Sequence, residues 1–469
     1  DQLSAKEQQV AALFEGIAPA DALLPILGMN DPFHYRNKVI SPYAPAKGAK
    51  RKGKDAKLAR ADILTGMYET GTHRLIPTDT CAIENETAKK VTLAIRDIMA
   101  RWSMEPYNED TGAGFVRHAV VRVGHKSGEV LVTVVTNGEE FPASKAFCRE
   151  LVRRVPEVTT IVQNVNTRQT NVILGEREQR LYGPGFILDK LCGLSFRISS
   201  QSFYQVNAVQ TEVLYNTAID LAALSGGERA IDAYCGTGTI GLVAAARGAG
   251  EVVGVDSVES AIRDARQNAR HNGVENARFV AADAGEFMRR LAADGERADV
   301  VLMDPPRAGS SEEFIDALAE LAPERVVYIS CNPETQVRDC RLLRDRGYAV
   351  RIVQPVDMFP HTNHVETVVL LSKLQTKQHI EISLDMDELD LTGAESKASY
   401  DEIKSYVKEH TGLTVSSLNI AQVKQKCGII ERENYNKLKS ENSSQPKCTP
   451  EKEQAIKSAL KHFDMLEGD

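Results

Sequence analysis

Between residues 201 and 373, short apolar runs alternate with helical patterns, and this alternation limits the fold more than any other feature. ERAIDAYCG, EVVGVD, ARFVAADA, ADVVLMDPP and RVVYISC read as strands. TIGLVAAARG, SAIRDARQNARHNG, EFMRRLAAD and FIDALAELA read as helices between them. Strands apolar on both faces, each followed by a helix, predict a doubly wound, mostly parallel α/β sheet covered on both sides. YAVRIVQPVD and HVETVVLLSK end the series with no helix between them, so the last strand is expected to return antiparallel. Such sheets bind ligands outside the carboxyl ends of their strands.

The flanking segments differ in kind. Residues 1–200 open with a helical stretch, SAKEQQVAALFEGI. HYRNKVISPY, RHAVVRVGH, EVLVTVVTN, TTIVQNVN, TNVILG and LSFRISS then read as strands, interrupted by one helix, SKAFCRELVRRV. The alternation between Gly and Asn turns predicts an antiparallel α+β domain. Residues 374–469 are polar, with a strand-like HIEISLDM and a capping-box helix start at Ser399–Glu402. SLNIAQVKQKCG follows, and a last helix opens at Thr449-Pro450. The pair resembles a helix-turn-helix, but the tail lacks a basic face, which favours an accessory packing or contact module. The expected division is therefore 1–200, 201–373 and 374–469.

With 469 residues and 42% hydrophobic composition, the chain can fill two or three cores. No apolar run is long enough to span a bilayer and no signal peptide opens the sequence, so a cytoplasmic protein is expected. A net charge of −8 argues against bulk attraction to nucleic acid. A local exception is AKGAKRKGKDAKLAR at 46–60, readable either as a solvated loop or as a nucleic-acid contact. The eight cysteines are scattered with no Cys-x-x-Cys pair, so neither a disulfide framework nor a complete zinc site is expected.

Candidate site residues collect at the strand ends. IDAYCGTGTIGL is a strand, a glycine turn (Gly236, Gly238, with Gly241 beyond) and a helix. It suits a ligand's close approach, or equally a tight turn. Asp256 ends the next strand, where a carboxylate can accept from ribose hydroxyls. Asp283 ends the third, placed either to read an adenine amino group or to cap a helix. Asp304 precedes two prolines that stiffen its loop. Cys331 ends the fifth strand in YISCNPET.

DAYCGTGTIGL, DPPRAG, SCNPET and DMFPHTNHVETV, in this order, resemble the S-adenosylmethionine-dependent RNA uracil-C5 methyltransferases, nearest the bacterial 23S ribosomal-RNA (RlmD-like) branch, with the tRNA branch as a cousin. SFYQVN at 202–207 and HYRNKV at 34–39 are similar to further family motifs. The resemblance covers about residues 1–373 and implies a Rossmann-like class I methyltransferase domain preceded by an RNA-binding domain. It implies that Gln205, Tyr234, Asp256 and Asp304 bind S-adenosylmethionine; Gly236, Gly238 and Asp283, read from the strand ends, are further candidates for the same cofactor. Cys331 falls on the nucleophile, Glu366 on the general base and Phe203 beside the active site. Asp304 would also hold the uracil edge. Arg117 and His118, with Arg168 and the 46–60 run, are the candidate RNA contacts. The implied partner is RNA, foremost ribosomal RNA, with no DNA or membrane, and a monomer is expected. Ribosomal members often carry a [4Fe–4S] cluster, and Cys81 matches its fourth ligand. The other three ligands and the family's TRAM domain have no counterpart here. The opening Asp, in place of Met, suggests N-terminal truncation.

The implied chemistry suits these residue types. A thiolate adding at uracil carbon 6 turns carbon 5 into a nucleophile, and cysteine is both a strong nucleophile and a good leaving group. A base must then remove the carbon-5 proton. Two other methyl-transfer classes fit poorly: Arg307 stands where an adenine-N6 enzyme needs an aromatic residue, and the loop of Asp304 lacks the second cysteine of a cytosine-C5 enzyme. A tRNA substrate, or a non-catalytic RNA-binding role, remains the alternative.

Overall fold

Two seven-stranded sheets organise the larger part of the computed structural model, which describes residues 1–46, 58–374, 400–427 and 449–462. The chain divides into two units, Asp1–Ile380 and Glu381–Asp469. The basic run, except its ends, and HIEISLDM lie outside the described residues.

Helix α1 (Gln2–Phe14) opens the first unit. The first sheet follows with β1 (Lys38–Pro45), β2 (Ile63–Tyr68), β3 (Leu75–Pro77), α2 (Glu86–Trp102), β4 (Val116–Val123), β5 (Val130–Thr136), α3 (Ser144–Arg154), β6 (Val158–Val165) and β7 (Arg177–Tyr182), in the order β3-β2-β1-β4-β5-β6-β7. Three features differ from the sequence expectation. The helix α2 was not expected, although Val91, Ile95, Ile98 and Met99 lie at helical spacing and are all buried. Asn85 caps it, accepting from the amides of Thr87 and Ala88. The sheet is mixed, because β5 and β6 run parallel with α3 as their crossover. TNVILG is not a strand. Its carbonyls at Val172, Ile173 and Gly175 accept from the side chains of Asn166 and Asn164. The edge strand is instead the charged REQRLY, largely exposed, as suits an edge.

A hairpin, β8 (Phe186–Leu191) and β9 (Leu194–Ser199), links the halves. Buried Asp189 accepts from the amides of His125, Lys126 and Ser127 in the β4–β5 turn.

The second sheet comprises α4 (Ala208–Ala222), β10 (Arg229–Ala233), α5 (Thr239–Ala246), β11 (Glu251–Asp256), α6 (Glu259–His271), β12 (Ala277–Ala281), α7 (Ala284–Ala293), β13 (Val300–Met303), α8 (Glu312–Leu321), β14 (Arg325–Ser330), α9 (Pro333–Asp345), β15 (Tyr348–Val356) and β16 (Glu366–Lys373). The order is β12-β11-β10-β13-β14-β16-β15. Only β16 runs antiparallel to its neighbours, as expected. Asn268 of α6 and Asn272, just after it, accept from the amides of Arg197 and Ser195, which docks the hairpin.

The opening helix packs on this second sheet and not on the first, with which its position in the sequence had grouped it. Val10 and Phe14 enter the core around Leu343 and Val353. Just after it, the amides of Leu24 and Leu27 bond to the carbonyls of Val353 and Pro355, covering the free edge of β15.

In the second unit, helices Tyr400–Thr411, Ser417–Lys426 and Pro450–His462 enclose a small core of Ile403, Val407, Ile420, Val423, Ile456 and Leu460. Among the described residues, no helix is long and apolar enough to cross a membrane.

Gly254, in the middle of β11, lies so close to the Phe279 ring that an added Cβ would overlap it. Gly254→Ala should therefore cost about 1–3 kcal/mol and lower the melting temperature. Gly227→Ala, where an added Cβ meets nothing within 4 Å, should not. Thermal unfolding followed by circular dichroism measures both.

Candidate active site

The C-terminal ends of β10, β11, β13 and β14 share one edge. After β10 the chain turns through Tyr234, Gly236 and Gly238, all at positive φ (64°, 53° and 80°). Only glycine adopts this conformation without strain, so Tyr234 is held there by its surroundings. Its ring packs on Phe314 with centroids 5.0 Å apart, and its hydroxyl donates to Ser310 Oγ at 3.4 Å. Asp256 fastens the turn to β11, accepting from the Gly236 amide at 3.0 Å and the Val258 amide at 2.8 Å. Buried Asp232 accepts from the Gly241 amide at 2.7 Å, and burial pushes its carboxyl up to about 8. Asp283 caps α7 through the Glu286 amide at 2.9 Å.

Space for a ligand is present at this turn. A Cβ built on Gly236 would meet nothing within 4 Å. An open glycine turn beside a partly exposed carboxylate at the end of the second strand fits an adenosine-bearing cofactor.

The other half of the site comes from three segments. Cys331 follows β14 and is half-buried. Asn332 caps α9 and accepts from the Glu334 amide. In the antiparallel pair of β14 and β16, Ser330 stands opposite Thr367. Continuing that register by one residue sets Cys331 against Glu366, which is 3% exposed. Asp304 follows β13 directly and lies near enough to act on both groups. Burial pushes its carboxyl up to about 7, and pushes Glu366 well above the usual carboxylate range, with the charge of Asp304 adding to it and Arg307 opposing it. The Cys331 thiol is raised by burial and by the carboxylates of Glu366 and Asp304, while hydrogen bonding and charge from Arg307 draw it down. Three acids thus meet one guanidinium.

Helix α9 grips the loop that carries Asp304 and Arg307. Asn332 Nδ2 and Thr335 Oγ1 donate to the Arg307 carbonyl at 3.1 and 3.2 Å. Arg338 donates to the carbonyls of Ala308 and Ser310 at 2.9 and 3.0 Å. Buried Asp339 accepts from the Ser310 amide at 2.8 Å and from the Tyr328 hydroxyl at 2.7 Å.

Motifs far apart in sequence meet at residues 357–360, the segment between β15 and β16. The Asn37 amide donates to the Val206 carbonyl at 2.8 Å, and Asn37 Nδ2 donates to the Gln205 carbonyl at 3.1 Å. Thus HYRNKV holds SFYQVN. Asn207 donates to the Met358 carbonyl at 3.0 Å, and Tyr35 to the Pro360 carbonyl at 3.0 Å. Lys6 of α1 pairs with Asp357 at 2.5 Å, both side chains buried, and donates to the Phe359 carbonyl at 3.0 Å. Gln205 is buried, whereas Phe203 is 69% exposed.

Arg117 and His118 are not free to contact RNA, contrary to the sequence expectation. Both are buried in β4. The Arg117 guanidinium donates to the carbonyls of Asn166 and Arg168 and lies over the Tyr107 ring at 4.3 Å. Burial, with Arg117 adjacent, lowers His118 to about 4 and leaves it neutral at physiological pH. Arg168 is half-exposed and pairs with Glu176 at 3.5 Å. Cys81 has no set of three or more potential metal-ligating side chains around it among the described residues. These residues therefore do not fit an iron–sulfur cluster. Sequence reasoning missed two site residues. Arg307 was weighed only as a mismatch to other enzyme classes, although its place beside Asp304 was a signal. Lys6 gave none, because its partner is 351 positions away.

The fold and this edge define a class I, S-adenosylmethionine-dependent methyltransferase. Comparison with known proteins narrows the class. The tRNA (Uracil-5-)-methyltransferase family matches residues 187–374. An uncharacterized RNA methyltransferase of Halalkalibacterium halodurans is 42% identical over 372 residues, covering 79% of this chain and 78% of that protein. Another, from Enterococcus faecalis, is 43% identical over 375 residues, covering 79% of each. A solved structure of the Pyrococcus abyssi tRNA (uracil-54, C5)-methyltransferase in complex with S-adenosyl-L-homocysteine aligns with a TM-score of 0.62 and 28% identity, covering 79% of this chain and 82% of that one. The chain belongs to the RNA uracil-5 methyltransferase family and uses S-adenosylmethionine as methyl donor.

Removing the Lys6 charge leaves Asp357 buried and unpaired. Lys6→Met should cost about 3–5 kcal/mol, and Lys6→Met combined with Asp357→Leu should recover part of that loss. Denaturant unfolding of the two variants measures the difference.

Proposed function

We propose that the protein methylates carbon 5 of a uridine in 23S ribosomal RNA through a covalent adduct between Cys331 and uracil carbon 6. The observation that carries this reading is the β14–β16 register that sets Cys331 against Glu366, with Asp304 and Arg307 beside them. The motif order supports ribosomal RNA. The likeness to the Pyrococcus abyssi enzyme favours tRNA as the second reading. A base paired in folded RNA must leave its stack to reach a half-buried thiol, and the first sheet with its helices would grip the RNA around it.

S-adenosylmethionine, once bound, would supply an electrophilic methyl group, its sulfonium sulfur leaving as a neutral thioether when the S–CH3 bond breaks. The open turn at Gly236 and the carboxylate of Asp256 would hold its nucleoside, beside Tyr234. The Cys331 thiolate adds to carbon 6, forming the S–C bond and moving the electron pair of the ring double bond towards carbon 5 and the O4 oxygen. Asp304, raised to about 7, is partly protonated near neutral pH and can donate to O4 as charge develops there. Once carbon 5 has gained the methyl group, the Glu366 carboxylate removes its proton. That electron pair re-forms the ring double bond, the S–C bond breaks, and Cys331 leaves as thiolate. Burial makes Glu366 a stronger base than an exposed carboxylate.

RNA carrying 5-fluorouridine has no carbon-5 proton to lose and should stall as a protein–RNA adduct on a denaturing gel. Wild type should give it with 23S transcripts, and Cys331→Ala should not. An adduct with tRNA alone would move the substrate to tRNA, and no adduct with either would sink the covalent mechanism. Glu366→Gln should slow turnover by about 10²–10⁴-fold and accumulate adduct on ordinary uridine.

The pH dependence has a definite sign. The thiol lies above its ordinary value of 9.0, so its reactive anion is scarce at neutral pH and grows as pH rises. Adduct formation in single turnover should therefore rise with the thiolate above pH about 7, less steeply than the thiolate itself because Asp304, raised to about 7, loses over the same range the proton it donates to O4. Arg307 draws the thiol down, so Arg307→Gln should move the rise to higher pH.

A further inference from the structure

We propose that Phe33 and His361 form a stacking platform for an unstacked nucleobase of the RNA, close to the target uridine. The inference rests on the reading of Glu366 as the base acting on that uridine. The two rings come from segments more than three hundred residues apart and stand with centroids 4.9 Å apart, tilted by 31°. Phe33 remains 50% exposed, and His361 is exposed as well. An aromatic ring left half in water, beside an imidazole, matches the surface on which RNA-binding proteins stack splayed bases.

The support beneath the pair is rigid. His361 is held at φ 63°, a conformation uncommon for a residue with a side chain. Gln2 of α1 holds it: Gln2 Oε1 accepts from the His361 amide at 3.0 Å, and Gln2 Nε2 lies 3.4 Å from the ring Nδ1. The preceding carbonyls are also taken: Tyr35 donates to Pro360, and Lys6 and Thr362 donate to Phe359. The strained backbone is therefore fixed from three sides while the rings stay open. A platform held in place before RNA arrives loses little freedom on binding.

Its position fits the task. His361 precedes Glu366 by five residues, and a chain of that length reaches at most about 18 Å. The platform thus lies within a few nucleotides of the uracil that Glu366 would serve. Flipping that uracil also unstacks its neighbours, which then need a new aromatic partner. Phe203, placed beside the active site by resemblance, is a separate ring on another segment.

The test is RNA binding by the full chain, read without turnover. Filter binding with 23S and tRNA transcripts compares wild type with Phe33→Ala, Phe33→Leu and Phe33→Trp. Calorimetric binding of S-adenosylhomocysteine and thermal melting run in parallel. Phe33→Ala and Phe33→Leu should weaken RNA binding by about 5- to 100-fold, and Phe33→Trp should restore it to within about twofold. Cofactor affinity should not change. Leucine keeps the apolar bulk, so it separates stacking from packing even if the alanine variant melts early. Unchanged RNA affinity in Phe33→Leu, failure of tryptophan to restore binding, or no binding of either RNA by wild type would each overturn the platform. A wild type that binds RNA but forms no 5-fluorouridine adduct would instead remove the covalent reading and leave the platform result intact.

Discussion

The carboxylate of Asp339 is the interaction on which the site depends. It is buried, and it accepts from the Tyr328 hydroxyl on β14, the Ser310 amide in the loop after β13, and Arg338 on its own helix. A charge removed from water must be matched by such partners. Matching it here fixes three elements at once. Asp304 and Arg307 sit on the tied loop, and Cys331 lies between the tied strand and the tied helix. One buried group thus ties together the loop, strand and helix that carry them, alongside the bonds from Asn332, Thr335 and Arg338.

The antiparallel strand completes the arrangement. In a wholly parallel sheet, the first residue of every strand lies at the edge opposite the ligand. Glu366 is the first residue of β16, and only the reversed direction of that strand brings it to the edge where Cys331 stands. The departure from parallel topology is thus what joins the candidate base to the candidate nucleophile. Burial raises all three acids, like charge adds to the rise at Cys331 and Glu366, and Arg307 offsets it at those two.

The second sheet was legible because its strands are apolar on both faces and its helices amphipathic, so local pattern and global topology agree. Even the reversal of β16 could be read, from the missing helix before it. The first sheet was less legible. Helix α2 carries a clear 3.6-residue pattern, but Thr and Lys residues are interleaved with its apolar positions. The edge strand β7 opens on Arg-Glu-Gln-Arg, largely exposed, and has no hydrophobic alternation to betray it. Arg117 and His118 illustrate a different limit. Their residue types suggest phosphate contacts, yet β4 is buried along its whole length, which no reading of two residues reveals. The Cys331–Glu366 pairing was suggested by resemblance. The surroundings that raise their proton affinities depend on non-local packing.

The docking of α1 also bears on how the chain assembles. Its apolar residues Val10 and Phe14 join the core that includes Leu343 of α9 and Val353 of β15, and its buried cation Lys6 pairs with Asp357 just after β15. This helix therefore waits for Asp357, 351 positions further along the chain and near the end of the second sheet. Contacts this distant in sequence close late and slowly. During synthesis the exposed face of α1 is available to chaperones or to unwanted partners, and the site cannot reach its final shape until that early helix has been captured.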